Sequence, residues 1–383
     1  MSEIVAPSAL PRPGYEPRNI RIGSTVVSPE LTISETYDSN VFSLEDDEEG
    51  DFITTVSPRV TVETGPEKLR LRSEAFATHS EYLENPSESR TTYGASLGGR
   101  YLLDSAHTLE ATLGYNREAE SRGDPESELD AGDPISMYHR FGATASYGYR
   151  RNRIGLGLSA DVEATDFDRR DESDRDLMET RFAARTSFLL TPKFDMFVEG
   201  FTNRRDYEAA TDDSGVGRDA TTYGFLAGTS VDLTGKLVGE IGIGLFQTDY
   251  DDDGLDDFLG LGVRGGLVWS ISPRTLLAAT VSREDVGTVL AGATTQIESN
   301  FGVRLEQEVR HNLLISTGLN LSQSEYEGIS RDLTTVSGGI MAELFLNRVL
   351  SVTVSADYST RYADLREDEY DRLLFTIGLR ARF

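Results

Sequence analysis

Along most of this chain, large apolar residues alternate with polar or small ones. At the C-terminus Leu373, Phe375, Ile377, Leu379, Ala381 and Phe383 share one phase, and Arg372, Thr376, Gly378, Arg380 and Arg382 share the other, with Leu374 the exception. A period of two marks a strand. The pattern recurs at Leu350, Val352, Val354, Ala356 and Tyr358 against Ser351, Thr353, Ser355 and Asp357. It recurs again at Leu259, Leu261, Val263, Gly265, Leu267, Trp269 and Ile271 against Gly260, Gly262, Arg264 and Gly266, and over 154–163. The second face is too polar and too rich in glycine for a dry core. In a closed membrane barrel it would line a wet lumen, while the first face met lipid.

The spacing of turns fixes how many such strands there are. Tight polar turns stand at 64–68, 104–107, 150–153, 191–193, 234–236, 272–274, 310–312 and 347–348, roughly 37 to 46 residues apart. Longer, mostly acidic segments alternate with them, such as "LEDDEEGD" at 44–51 and "DYDDDGLDD" at 249–257. Each period therefore holds two strands, and the chain about eighteen. Propeller blades would hold four short strands per period. These strands are longer than typical soluble ones and suit a tilted crossing of a bilayer. The predicted fold is all-β: a transmembrane antiparallel up-and-down β-barrel with short periplasmic turns and long acidic extracellular loops. Residues 22–383 would form the barrel and residues 1–21 a proline-rich periplasmic extension. Pro29 and Pro58 fall inside the first two strands, where a lost ladder bond predicts a bulge or local irregularity near the barrel seam. Alternation is weakest around 284–300.

Composition changes this picture little. The chain has 383 residues, a formal net charge of -28, 38% hydrophobic residues and no cysteine. Acidity with low hydropathy can mean disorder, but the 17 phenylalanines, the 16 tyrosines and the regular strand pattern argue against it. No stretch is long and apolar enough for a membrane-spanning helix. The first residues, "MSEIVAPSALPRPGYEPRN", lack the apolar run of a signal peptide, so the expectation for an outer-membrane barrel is a form whose signal has been removed. No nucleic-acid partner is expected of so acidic a chain.

The segment "LTISETYDSNVF" at 31–42, its acidic loop and "ITTVSPRVTVET" that follows resemble the beta-barrel porins often encoded in exopolysaccharide loci of Gram-negative bacteria. The likeness is most specific over 28–63, and hairpin spacing carries it to Phe383. It implies an outer-membrane channel, with export of a secreted polysaccharide or passage of polar solutes as its role. It brings no catalytic motif, and it implies lipopolysaccharide, polysaccharide and periplasmic export proteins as partners. The alternative is a non-transporting barrel acting as anchor, adhesin or assembly partner through its loops. The terminal aromatic resembles the C-terminal signature read by the barrel assembly machinery, which assigns that role to Phe383.

Alternation places Arg59, Arg70, Arg72, Arg100, Arg140, Arg181, Arg185, Arg372, Arg380 and Arg382 in the lumen, and inward acids such as Glu240, Glu306 and Glu343 on the other arc. Two readings follow: a transverse field between a basic and an acidic arc, or local cross-strand pairs on a wet wall. Arg372, Arg380 and Arg382 with Arg70 and Arg72 are the expected contacts for an anionic solute or sugar chain. Asp249, Asp251 and Asp253 match the first half of a calcium loop, but position twelve is Gly260, so an EF-hand is excluded and only a surface calcium site is expected. His79 and Ser80 are adjacent on a strand and point to opposite faces, so no Ser–His pair forms there, and no enzyme is expected. Loop 117–135, the longest insertion, would either enter the lumen or stand outside.

Overall fold

The computed structural model describes residues 4–127, 129, 132–212, 215–290 and 292–383. A short strand β1 (Ile20–Ile22) precedes eighteen long ones: β2 (Thr25–Asp38), β3 (Asp51–Thr64), β4 (Leu69–Tyr82), β5 (Arg90–Leu102), β6 (His107–Ala119), β7 (Met137–Arg151), β8 (Ile154–Phe167), β9 (Leu177–Thr191) and β10 (Phe194–Tyr207), then β11 (Ala220–Leu233), β12 (Leu237–Tyr250), β13 (Phe258–Ser272), β14 (Thr275–Val286), β15 (Thr295–Arg310), β16 (Leu313–Glu327), β17 (Asp332–Phe345), β18 (Leu350–Ala363) and β19 (Tyr370–Arg382). Each pairs antiparallel with the next, and β19 returns to β2, from Leu374↔Asp38 to Arg382↔Glu30. Closure removes both sheet edges, which lets the backbone cross a membrane with its polar groups paired.

The register explains the alternation. On β12 and β13, Ile243 lies opposite Val263 and Leu245 opposite Leu261 on the outer face, while Gly242 faces Arg264 and Gly244 faces Gly262 inside. Outer-face residues such as Ile243, Leu261, Leu319 and Ile340 are exposed, as a lipid-facing belt requires. The turns are tight enough to need particular residues. Gly65, between β3 and β4, has φ +118, and a Cβ there would collide with the Leu69 carbonyl.

Pro58 makes a local irregularity rather than a bulge. The β3–β4 ladder skips Ser57 and Pro58 between Val56↔His79 and Arg59↔Phe76 without a change of register. The missing proline N–H costs ladder bonds locally, and the flanking pairs hold the alignment. Pro29 lies one residue beyond the last β19 pair, Arg382↔Glu30, and on its other side pairs with Val60 of β3.

The family-like segment fastens the barrel's closure. Asp38 is fully buried and takes the Arg372 guanidinium of the last strand. Buried Asn40 donates to the Asp371 and Leu44 carbonyls at 2.9 and 2.7 Å and accepts from the Leu44 amide. Val41 and Phe42 pack with Ile53 and Tyr82 in a small apolar cluster under this loop. Outside, Tyr37 meets Phe52 with ring centroids 5.2 Å apart. Phe383 is exposed on the outer face, and its amide donates to the Pro29 carbonyl at 3.1 Å.

Candidate functional site

The lumen wall is lined by ion pairs between neighbouring strands. On β3 and β4, Arg59 pairs with Glu74, and Arg72 with Glu63 and, at 3.6 Å, with Glu74. Arg100 meets Glu110 at 3.1 Å, and Arg140 lies 3.6 and 3.4 Å from Glu118 and Glu163. One network runs across five strands, from β9 to β13, with Ser230 of β11 donating to Glu240 within it. Arg185 of β9 holds Glu240 of β12 through two hydrogen bonds of 2.8 and 2.6 Å and stands 3.8 Å from Glu199 of β10, which also takes Arg264 of β13. The Arg185 guanidinium lies 3.6 Å from the Phe197 ring centroid. Near the periplasmic end, Arg380 is 3.6 Å from Glu30 and 3.3 Å from Glu343, which also accepts from Ser351. The charges are thus interleaved rather than sorted into opposed arcs, because each cross-strand neighbour satisfies the next.

Not every predicted arginine is paired with an acid. Arg70 lies opposite Arg100 in register, and among the described residues no carboxylate lies within ion-pair distance of it. Arg181 lies over Phe201 at 4.3 Å and Arg382 over Phe345 at 4.7 Å. The five arginines expected to act together are separated. Arg372 is spent on Asp38 at the extracellular rim, whereas Arg380 and Arg382 sit near the other end of the same strand.

The extracellular mouth is crossed by the loop between β6 and β7. Arg361 of β18 donates to the Gly123 carbonyl at 2.6 Å, and Tyr326 and Arg331 donate to the Pro125 carbonyl at 3.2 and 3.1 Å. Glu126 accepts from the Val289 amide at 2.6 Å and from Thr288. Strands β16–β18 lie across the lumen from β6 and β7, so the loop spans the mouth instead of standing outside it. Residues 128, 130 and 131 of the predicted insertion lie outside the described residues. Two buried ion pairs anchor the base of this loop: Arg122 with Glu88 at 2.7 Å and Arg175 with Glu120 at 2.9 Å. A second apolar cluster of Leu290, Ala293, Tyr326 and Leu333 lies beside it. Burial pushes the Glu126 carboxyl above its usual range, against the hydrogen bonds that favour its charged form.

The hairpin of β14 and β15 narrows the same mouth. Its upper end leaves the wall and tucks against the inner faces of β10–β12. Asp285 takes Arg205 of β10, and accepts from Thr222 of β11 at 2.7 Å and from Thr248 of β12. Ile297 and Thr295 of the same hairpin are buried, and Thr295 also donates to Asp285. The weak alternation over 284–300 has its cause here: by phase these side chains belong to the lipid face, but they meet protein.

The periplasmic mouth is entered by the N-terminal segment, which does not stand apart from the barrel. Ser8 donates to Glu306 of β15 at 2.9 Å, and Arg12 lies 3.7 Å from Glu308. The Arg12 guanidinium sits 4.9 Å over the Phe345 ring. Tyr15 meets His311 edge-on at 5.9 Å. Glu306 and Glu308 are buried beneath this segment, with Arg304 3.0 Å from Glu306. Three prolines in "APSALPRPG" were the sequence's only hint of an ordered path, and nothing in alternation could place it.

The calcium expectation finds no converging ligand set. Asp251 binds Arg204 through two hydrogen bonds of 2.9 and 2.8 Å, which hold its carboxyl below the usual range. Asp249 accepts from Gln247, and Asp253 is exposed at the tip. Among the described residues no three acidic or histidine side chains group as a metal site.

No curated protein matches the chain. Solved structures with a similar path include the outer membrane protein OpdK from Pseudomonas aeruginosa, at TM-score 0.47 and 11% identity over 93% of this chain and 99% of that one. OpdL from the same species gives 0.44 and 11% over 94% and 99%. A BenF-like porin from Pseudomonas fluorescens Pf-5 gives 0.47 and 10% over 93% and 99%. The eighteen-stranded closed wall has the architecture of an outer-membrane porin, and the sequence agrees: the model of the family described as "Putative beta-barrel porin 2" matches residues 12–383, and the chain belongs to that family.

Proposed function

We propose that this porin-like barrel is a throttled outer-membrane channel for polar solutes. A carbohydrate chain leaving the cell is the first solute to test, given the resemblance to porins of exopolysaccharide loci. The observation that supports it most is the interleaved charge of the inner wall. Paired arginines and carboxylates offer many donors and acceptors but little net field. Such a wall can exchange hydrogen bonds with a neutral sugar as it moves, while giving small ions little reason to be sorted by sign. Phe383, exposed at the end of the closing strand, is the signal we propose the assembly machinery reads, and lipopolysaccharide is the surface its acidic loops would meet.

Swelling of liposomes carrying the folded protein tests this. Neutral oligosaccharides should enter, with size setting the rate and charge changing it little. Exclusion of all sugars by demonstrably inserted protein would contradict it. That result would favour a second reading, a non-transporting anchor, for which the two obstructed mouths are the supporting observation.

A further inference from the structure

Strands β13 and β14 both continue beyond the last pair they share. Their ladder stops at Val263↔Arg283. Above it, Phe258–Gly262 of β13 pair only with β12, and Glu284–Val286 of β14 pair only with β15. The parting follows from the tuck described above, since Asp285 is drawn inward by Arg205 and the threonines of β11 and β12. Glycine allows the close packing on the remaining edge: a Cβ on Gly260 would strike the Phe246 ring. A cavity of about 30 Å³, room for little more than one water, lies where the ladder ends, with Gly262, Val263 and Arg264 on one side and Arg283 and Glu284 on the other.

The two ends of this break differ in chemistry. Its outer side carries Leu259 and Leu261, exposed by 67% and 49% on the lipid face. Its inner side is backed by Phe201, Leu226 and Arg181. Asp161 lies opposite Arg181 in register, yet among the described residues no ion pair engages that guanidinium, which rests on Phe201. An apolar threshold leading to a cation without an acid partner suits a molecule with an alkyl tail and an anionic head.

We propose that the parted β13–β14 ladder is a lateral entrance between the outer leaflet and the lumen, taking a single-chain amphipath with an anionic head. The carboxylate would reach Arg181 and the chain would lie along Leu259 and Leu261. The unpaired backbone edge is kept closed by the tuck in the resting state and is freed when the strands part further. This does not require the polar pathway to conduct, so it stands or falls separately from the channel reading.

The test is native mass spectrometry of the whole protein released from micelles with dodecanoate. A G262C/E284C pair places cysteines where the ladder would continue, and oxidation pins the break. Wild type and the reduced pair should retain one dodecanoate, and the oxidised pair none. Arg181→Gln should weaken retention about tenfold or more, the loss expected when a charge-assisted hydrogen bond goes. Dodecyltrimethylammonium and acetate should not be retained, because one lacks the anionic head and the other the tail. Equal retention by oxidised and reduced pairs, or equal retention of the cationic amphipath, would overturn the proposal. So would an unchanged affinity in Arg181→Gln.

Discussion

The two mouths of this barrel are closed in different ways. At the extracellular end, the ion pairs that hold the obstruction are buried: both partners of Arg122–Glu88 and of Arg205–Asp285 have 2% side-chain exposure. Removing one partner of such a pair strands the other in a poor dielectric. At the periplasmic end the Arg12–Glu308 pair is also buried, at 7% and 5%, but it is 3.7 Å long, and the rest of the segment is held by hydrogen bonds from Ser8 to Glu306, an arginine over a ring and an edge-on aromatic contact. Each carboxylate beneath the segment keeps a second cation, Arg304 beside Glu306 and Arg274 beside Glu308. The outer obstruction is therefore part of the fold, and the inner one is a latch that can be withdrawn.

Changes on either side of that comparison should differ in size. Arg205→Met removes the cation from Asp285 and should cost about 3–5 kcal/mol, read from denaturant unfolding. The matched change at the other mouth, Arg12→Met, keeps the apolar stem over Phe345 and leaves Glu308 with Arg274 at 3.7 Å, so it should cost clearly less. Equal costs would erase the distinction. Arg185→Gln is next in size. It leaves Glu240 and Glu199 with one cation, Arg264, between them, so the reversal potential in a salt gradient should move toward cation preference while conductance stays similar. A shift toward anions would mean that Arg185 does not face the conducting path.

The smallest effect is on pH. The Glu126 carboxyl ionises less readily in the docked loop than it would in water. Docking is therefore strongest at low pH, where the carboxyl is protonated in either state, and it weakens as pH rises through the docked-state pKa. Current should rise modestly from acid toward neutral pH, and Glu126→Gln should flatten that rise. A current that falls with rising pH would mean that another group controls the loop.

The wall was legible in the sequence because lipid imposes one rule on every strand. Turn spacing gave the strand count, and alternation gave the faces and the inward positions of Arg59, Arg185 and Glu240. What it could not give is the partner of each charge, since the wall brings together residues 55 positions apart on strands that do not pair, as in Arg185 of β9 and Glu240 of β12. Nor could it show that lipid-phase residues at Asp285 and Ile297 meet protein, or that Arg122 and Arg175 in acidic loops would be buried. Those depend on how loops fold over the mouth, where no periodicity operates. The "YDSN" segment marked a family without showing why. Its Asp38 and Asn40 tie the first strand to the last.

Single-channel conductance in a planar bilayer, comparing the full chain with a variant lacking residues 4–18, tests the central claim most directly. The account predicts small steps for the full chain and clearly larger, stable steps once the segment is removed, with the outer loops still in place. Identical steps from two folded, inserted proteins would show that the N-terminal segment does not obstruct the path, and the releasable inner mouth would have to be abandoned.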